Sequence, residues 1–316
     1  MLRRVGAIVA VALLAALAVA SFAYYQFQRT ETKRLDDRLY VVLGGGGNSS
    51  ILLSEAGALV VDTKFLRPGW RLASIVRSLT DKPVQVIINT HYHRDHTHGN
   101  PNYPIGTRVI AQRRTRAHLI ALDKRFWEVE PAWSLLPQEL VDDATELEWG
   151  DEKIRVSYLG RGHTDGDVVV HFTKRRLLQT GDLFVHGMYP RVDLKGGGSA
   201  REWLGTLDKI LAIDGVDKYI PGHGELAERK DVERLRAYLG SLVEQVEKHA
   251  AAGKSLREIQ GLVDLKAYDD FRGLPFFTSR SKNVASVYEE ISGHPQPQPQ
   301  PTPRLSPSTA EAEGMG

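Results

Sequence analysis

Between Thr90 and Asn100 the chain reads THYHRDHTHGN, placing four imidazoles and a carboxylate within eight residues, His91 to His98. No other stretch constrains the fold as strongly. Alternate residues of an extended segment point the same way, so His91 and His93 share a side. Asp95 and His96 are adjacent and diverge toward a second point. A bare H-x-H is a weak signal, whereas H-x-H-x-D-H at a strand's end offers two ligands to each of two neighbouring metals. A zinc ion takes about four ligands, and a catalytic zinc keeps one position for water. The run is therefore incomplete, and the fold must bring further ligands to it.

Three later turns supply them. GRGHTDGD places His163 after a strand ending at Leu159, QTGDLF places Asp182 after a strand over 177–179, and IPGHGE places His223 after a strand over 218–220. Glycines beside each allow tight turns and a close backbone approach. His91, His93 and His163 are thus assigned to one metal, and Asp95, His96 and His223 to a second. Asp182 is free to bridge. Two metals roughly 3.5–4 Å apart can hold a bridging hydroxide and stabilise attacking and leaving atoms. The remaining histidines, His98, His118, His171, His186, His249 and His294, are read as core or surface groups. His186 is also a candidate for the pocket wall, with Tyr92, Trp127, Trp133, Met188, Tyr189 and Arg191. Arg191 is suited either to clamping a substrate carboxylate or to a surface ion pair.

The periodicity supports a layered arrangement. Strand patterns over 39–43, 51–53 and 58–61 form a meander joined by turn residues. Gly44–Asn48 (GGGGN) lacks the lysine and hydroxyl pattern of a phosphate loop and reads as a hairpin turn at the rim of the site. Helical spacing runs over 68–79, then a buried strand over 84–88 ends just before the histidine run, where layered α/β folds gather ligands. A strand over 108–111 and a mixed helical region to about 140 follow. A second strand-rich half begins near Lys153, with strands over 154–159, 168–172, 177–179 and 218–220. A helix over 199–211 has Ser199 as N-cap and Glu202 three residues on. Helices over 231–250, 256–263 and 283–291 complete the body.

The motifs THYHRDH, GRGHTDGD, TGDLF and PGHG, in this order, resemble the metallo-β-lactamase superfamily. The resemblance implies an α+β four-layer αββα sandwich with C-terminal helices and a dinuclear site at one edge of two facing sheets. It also implies that His91, His93, Asp95, His96, His163, Asp182 and His223 are the metal ligands. Because the chain has no cysteine, members with a cysteine ligand are excluded. Asp182 makes the set more similar to glyoxalase II and lactonases than to true β-lactamases. His93 stands where the flavodiiron branch has glutamate. Alkylsulfatases share a similar histidine run but are much longer.

The expected activity is that of a binuclear zinc-dependent hydrolase, in which a metal-bridging hydroxide attacks the carbonyl of a lactone, thioester, β-lactam or other ester. Asp95 and Asp182 hold the metals and orient or relay the proton. Iron or manganese are the alternative metals, since imidazole and carboxylate suit them too. The rival readings are an exported metal-binding accessory protein with little catalysis and an iron-containing redox or oxygen-handling member of the fold.

Composition sets the partners. Without Arg3 and Arg4, 39 basic residues (41 less two) meet 39 acidic ones, a balance that does not favour nucleic acid. A small-molecule substrate is expected, and the oligomeric state is not legible. After Arg3 and Arg4 the chain carries no charge over 5–28, a run of 24 residues (28 less 4), or roughly 36 Å as a helix. Residues 1–28 therefore read as a signal peptide, with Ala18-Val19-Ala20 as its cleavage pattern, or as an uncleaved membrane anchor. Either places the metallo-β-lactamase-like domain, 35–292, in the periplasm or outside the cell, and an uncleaved segment tethers it to the inner membrane. The tail, 293–316, is rich in proline and polar residues and is expected to be disordered.

Overall fold

The computed structural model describes residues 29–274 and 277–293. The predicted leader over 1–28 and nearly all of the predicted tail lie outside them. Among the described residues no helix is long and apolar enough to cross a membrane.

Seven strands form the first sheet in chain order: β1 (Thr30–Arg34), β2 (Leu39–Gly44), β3 (Ser49–Ser54), β4 (Gly57–Val61), β5 (Val84–Ile88), β6 (Arg108–Gln112) and β7 (Glu139–Val141). The first four pair antiparallel, and β4 through β7 pair parallel. The second sheet contains β8 (Ala144–Trp149), β9 (Glu152–Tyr158), β10 (Val168–Phe172), β11 (Leu177–Gly181) and β12 (Lys218–Pro221), in the order β12-β11-β10-β9-β8. Only β11 and β12 are parallel there.

Strand alternation divides the apolar residues into layers. Val41, Leu43, Leu59, Val61, Val86 and Ile88 meet Ile154, Val156, Val168, Val170 and Phe172 between the sheets. The intervening residues Val42, Val60 and Ile87 face outward onto Leu72, Ala73 and Val76 of helix α1 (Leu66–Leu79). On the opposite outer face Val169 and Leu178 pack with Trp203, Leu207, Tyr238, Leu239 and Val287. These belong to α5 (Ala200–Leu211), α6 (Arg229–Ala251) and α8 (Arg280–Ile291). The short helices are α2 (Arg94–Thr97), α3 (Arg113–Leu122), α4 (Lys124–Trp127) and α7 (Leu256–Leu262). The result is the expected αββα sandwich, with the C-terminal helices in its second outer layer. Each fully buried Leu, Val or Phe contributes about 1.5–3 kcal/mol of transfer free energy.

Three strands were absent from the sequence reading. β1 is an exposed, charged edge strand, TETKR, recognisable only through its pairing with β2. β7 has three residues, and β8 pairs along its whole length with β9. Ser199 does cap α5, its hydroxyl accepting from the Glu202 amide at 3.0 Å. The side chain of Glu202, however, turns to Arg161, and the Glu290 carboxylate takes the Ser199 hydroxyl and the Ala200 amide.

Strand polarity locates the site. β4 and β5 are parallel, as are β11 and β12, and β9 runs with β11 because both oppose β10. The C-terminal ends of all five lie at one edge of the sandwich. Asp62, the 91–96 run, His163, Asp182 and His223 follow those ends in the chain. The glycine turn after β2 binds the two sheets there. The Asn48 side chain donates to the carbonyls of Pro221 and Gly224, both at 2.9 Å, and its amide donates to that of Gly222 at 2.7 Å.

Candidate metal centre

The structure brings together all seven predicted residues, in two groups. His91, His93, His163 and Asp182 present ligand atoms within 4.8 Å of one another, and so do Asp95, His96 and His223. Asp182 faces both groups. Its Oδ2 is 3.6 Å from His163 Nε2, while its Oδ1 is 3.3 Å from His96 Nε2 and 3.4 Å from His223 Nε2. Asp95 Oδ2 closes the second group at 3.2 Å from His223 Nε2.

The outward ring nitrogens are already engaged, which fixes the tautomers. His163 Nδ1–H donates to the Arg191 carbonyl at 2.6 Å, and His93 Nε2–H donates to Asp193 at 2.8 Å. His96 Nδ1–H donates to Asp62 Oδ2 at 2.7 Å. The Thr90 hydroxyl donates to the same Asp62 oxygen at 2.7 Å and so accepts from His91 Nδ1–H at 3.1 Å. The inward nitrogens of His91, His93 and His163 therefore carry lone pairs. They crowd one another, with His93 Nδ1 at 3.2 Å from His91 Nε2 and 2.8 Å from His163 Nε2. Lone pairs this close repel unless a cation lies among them. In the second group His96 Nε2 and Asp182 Oδ1 are buried, and neither makes a hydrogen bond. Buried polar atoms rarely remain unpaired. Both groups fit metal ions.

Electrostatics separates the groups. Burial pushes His91, His93 and His163 below the usual histidine range. Burial opposes charge at His96 and His223 too, but Asp62, Asp182 and Asp95 outweigh it at His96, and Asp182 and Asp95 raise His223 to about 9. Asp182 and Asp95 are held well below the carboxylate range by these imidazoles, against the effect of their own burial.

Asp62, Thr90, Lys64 and Asp193 were not singled out from sequence. Asp62 stands just past the end of β4, so the strand-end logic used for the ligands could have found it. It also accepts from the Thr90 amide at 2.8 Å, locking the start of the histidine run. Asp62 and Lys64 have left-handed backbone, with φ of 56° and 68°, a cost that a non-glycine residue bears only when its surroundings dictate it. Lys64 is fully buried and donates to the carbonyls of Val42, Gly44 and Gly47 at 2.9, 2.7 and 2.6 Å. Burial pushes its ammonium down to about 7 against the pull of Asp62 and Asp95. The lysine thereby pins the glycine turn, and Gly47 lies flat against His96. A Cβ at Gly47 would come within 2.2–2.7 Å of that ring. Gly222 is equally obligatory, since a Cβ there would reach Asp182 Oδ1 at 1.9 Å.

The pocket-wall candidates separate. Trp127 is buried with Leu119 and Leu136. Tyr92 is also buried and donates its hydroxyl to Asp193, so it positions the partner of His93. Tyr189 packs on Tyr238 and Phe271. Arg191 is partly exposed and lies 3.6 Å from Asp193. Trp133 is half exposed. His186 bonds the Glu225 carbonyl at 3.0 Å. His98 pairs with Asp123 and stacks on Phe126, outside both groups.

The chain is similar to known proteins. The family model described as the metallo-beta-lactamase superfamily matches residues 42–223. A metallo-beta-lactamase type 2 from Bacillus cereus is 26% identical over 188 residues, covering 58% of this chain and 68% of that protein. A hydroxyacylglutathione hydrolase from Gloeobacter violaceus is 30% identical over 213 residues, covering 59% and 74%. Among solved structures, the stereoselective inverting sec-alkylsulfatase Pisa1 from Pseudomonas sp. superposes with a TM-score of 0.68 at 16% identity, covering 85% of this chain and 51% of that one. The chain belongs to the metallo-β-lactamase superfamily, as a metal-dependent hydrolase whose substrate is unassigned.

Proposed function

We propose that the chain is a binuclear zinc hydrolase acting on an ester-like carbonyl in a lactone, thioester, β-lactam or related small molecule. The observation that carries this reading is the division of Asp182, one oxygen toward each imidazole group. His91, His93 and His163 would hold one ion, Asp95, His96 and His223 the other, with Asp182 between them. Zinc pairs supply two things when bound, a water acidic enough to ionise near neutral pH and polarisation of the reacting oxygen.

The chain's own residues do the rest. Asp62, Thr90, Asp193 and the Arg191 carbonyl fix four of the five imidazoles in one tautomer. Such outer partners orient ligands and raise their basicity. Asp95 and Asp182 are ionised across the neutral range and accept hydrogen bonds from a bound water, orienting it toward the carbonyl. Arg191, exposed and 3.6 Å from Asp193, would be the residue to meet a substrate carboxylate. We also place the protein outside the cytoplasm, on the strength of the uncharged run over 5–28.

The test is turnover of a β-lactam, a lactone and a glutathione thioester by the purified chain, with and without chelator. Chelator-sensitive hydrolysis of one of them supports the reading and names the substrate class. Two bound metals without turnover of any would favour the exported accessory protein instead.

A further inference from the structure

We propose that the exposed face of α1 docks on an anionic lipid surface, holding the Asp95 side of the metal centre next to the headgroups. Helix α1, LRPGWRLASIVRSL, contains no Asp or Glu. Its inner face, Leu72, Ala73 and Val76, packs on the first sheet. Its outer face presents Trp70, 58% exposed, and Leu66, 37% exposed. Arg67, Arg71 and Arg77 lie on the same exposed side. An exposed tryptophan and leucine among arginines is the pattern of an interfacial helix: the apolar groups enter the headgroup boundary and the guanidinium groups meet anionic lipid.

The position of α1 identifies the occupant. A Cβ at Gly45 would touch Pro68 of α1 at 3.0 Å and Thr30 of β1 at 2.9 Å, and one at Gly46 would touch Phe65 and Asp95, both at 2.9 Å. The first turn of α1, the start of β1 and the edge of the metal centre therefore meet at one glycine turn. The 24 uncharged residues 5–28 join the described chain at Arg29, one residue before β1. A bilayer that takes up that run is brought alongside Leu66 and Trp70. The inference rests on reading 5–28 as a membrane segment and not on the hydrolytic chemistry.

The absence of cysteine permits single-site labelling of the full-length chain. A nitroxide is placed at Trp70→Cys and, separately, at Lys254→Cys, which lies beyond α6 in the opposite outer layer. Each chain is reconstituted with vesicles of phosphatidylethanolamine and phosphatidylglycerol. We expect the label at position 70 to be several-fold less accessible to a water-soluble nickel complex, and several-fold more accessible to oxygen, than the label at 254. Arg67→Glu with Arg71→Glu should return the label at position 70 to water. Equal aqueous access at both positions in vesicle-bound chains overturns the docking face alone. Chains that fail to float with vesicles overturn the membrane-segment reading along with it. An unchanged lipid-facing label in the double glutamate variant overturns the part assigned to anionic lipid.

Discussion

The two halves of the candidate metal centre are built from similar groups but under opposite electrostatics. His91, His93 and His163 are kept neutral by burial, each with its outer N–H engaged and its lone pair directed inward. His96 and His223 lie among carboxylates that draw positive charge onto them. The first half is preorganised for a cation by neutral donors. The second has acidic charge to offset, which either protons or a metal can do. Asp182 belongs to both halves, so its loss should reach furthest.

Asp182→Ala is expected to have the largest effect. It removes the group common to both halves and should lower turnover by well over about 100-fold, beyond what losing an outer partner usually costs. Metal analysis of the variant should show ions lost together with activity. Unchanged turnover would contradict a shared role.

The outer carboxylates sharpen the contrast. Asp62 supports His96 directly and His91 through Thr90, whereas Asp193 supports His93 alone among the ligands. Asp62→Ala should therefore weaken metal binding in both halves and Asp193→Ala only in the first, by about 10–100-fold each. Competition with a chromophoric chelator would measure this. Equal weakening of both ions by Asp193→Ala would break the assignment.

Protons should distinguish the halves as well. They compete with metal for the same nitrogens, so acidification should release the ion held by His96 and His223 before the one held by the imidazoles of lowered pKa. In the metal-free chain the sign reverses for stability. A histidine raised from 6.5 to about 9 stabilises fully below 6.5, and its contribution disappears as pH rises through about 9. Asp182, lowered from 3.8, stabilises above 3.8 and less as pH falls below it. Chelator-treated protein should thus lose stability between pH 6.5 and 9, measured by urea denaturation at a series of pH values. The two raised histidines, His96 and His223, outweigh the single buried Lys64, which is lowered to about 7 and acts in the opposite sense above that pH. A flat profile would mean the carboxylates do not charge the second half.

The smallest effect expected is that of Gly47→Ala. The new methyl group must displace the His96 ring, at about 1–3 kcal/mol of overpacking. A thermal scan should show the loss, accompanied by weaker binding at the second half only.

Why some of this was legible in sequence and some was not follows from where each signal resides. The candidate ligands could be read because four share one run just past an apolar strand, and each of the other three is a chemically distinctive residue beside glycine after another strand. The sheets could be read where strands are buried and apolar, as with β4, β5 and β10. β1 could not, because TETKR has no apolar alternation and exists through the ladder it makes with β2. Asp193 could not, because its role depends on a histidine 100 residues earlier. Nothing in the sequence around Lys64 shows that its ammonium is buried among three carbonyls. Trp127, a candidate for the pocket wall, is buried in a cluster with Leu119 and Leu136; aromaticity does not indicate which way a ring faces.

The most direct test of the two-halved centre is the metal content of the purified chain against that of Asp182→Ala. Two ions per wild-type chain and fewer than two in the variant are expected. A wild-type chain that saturates at one ion, or a variant that still holds two, would contradict it.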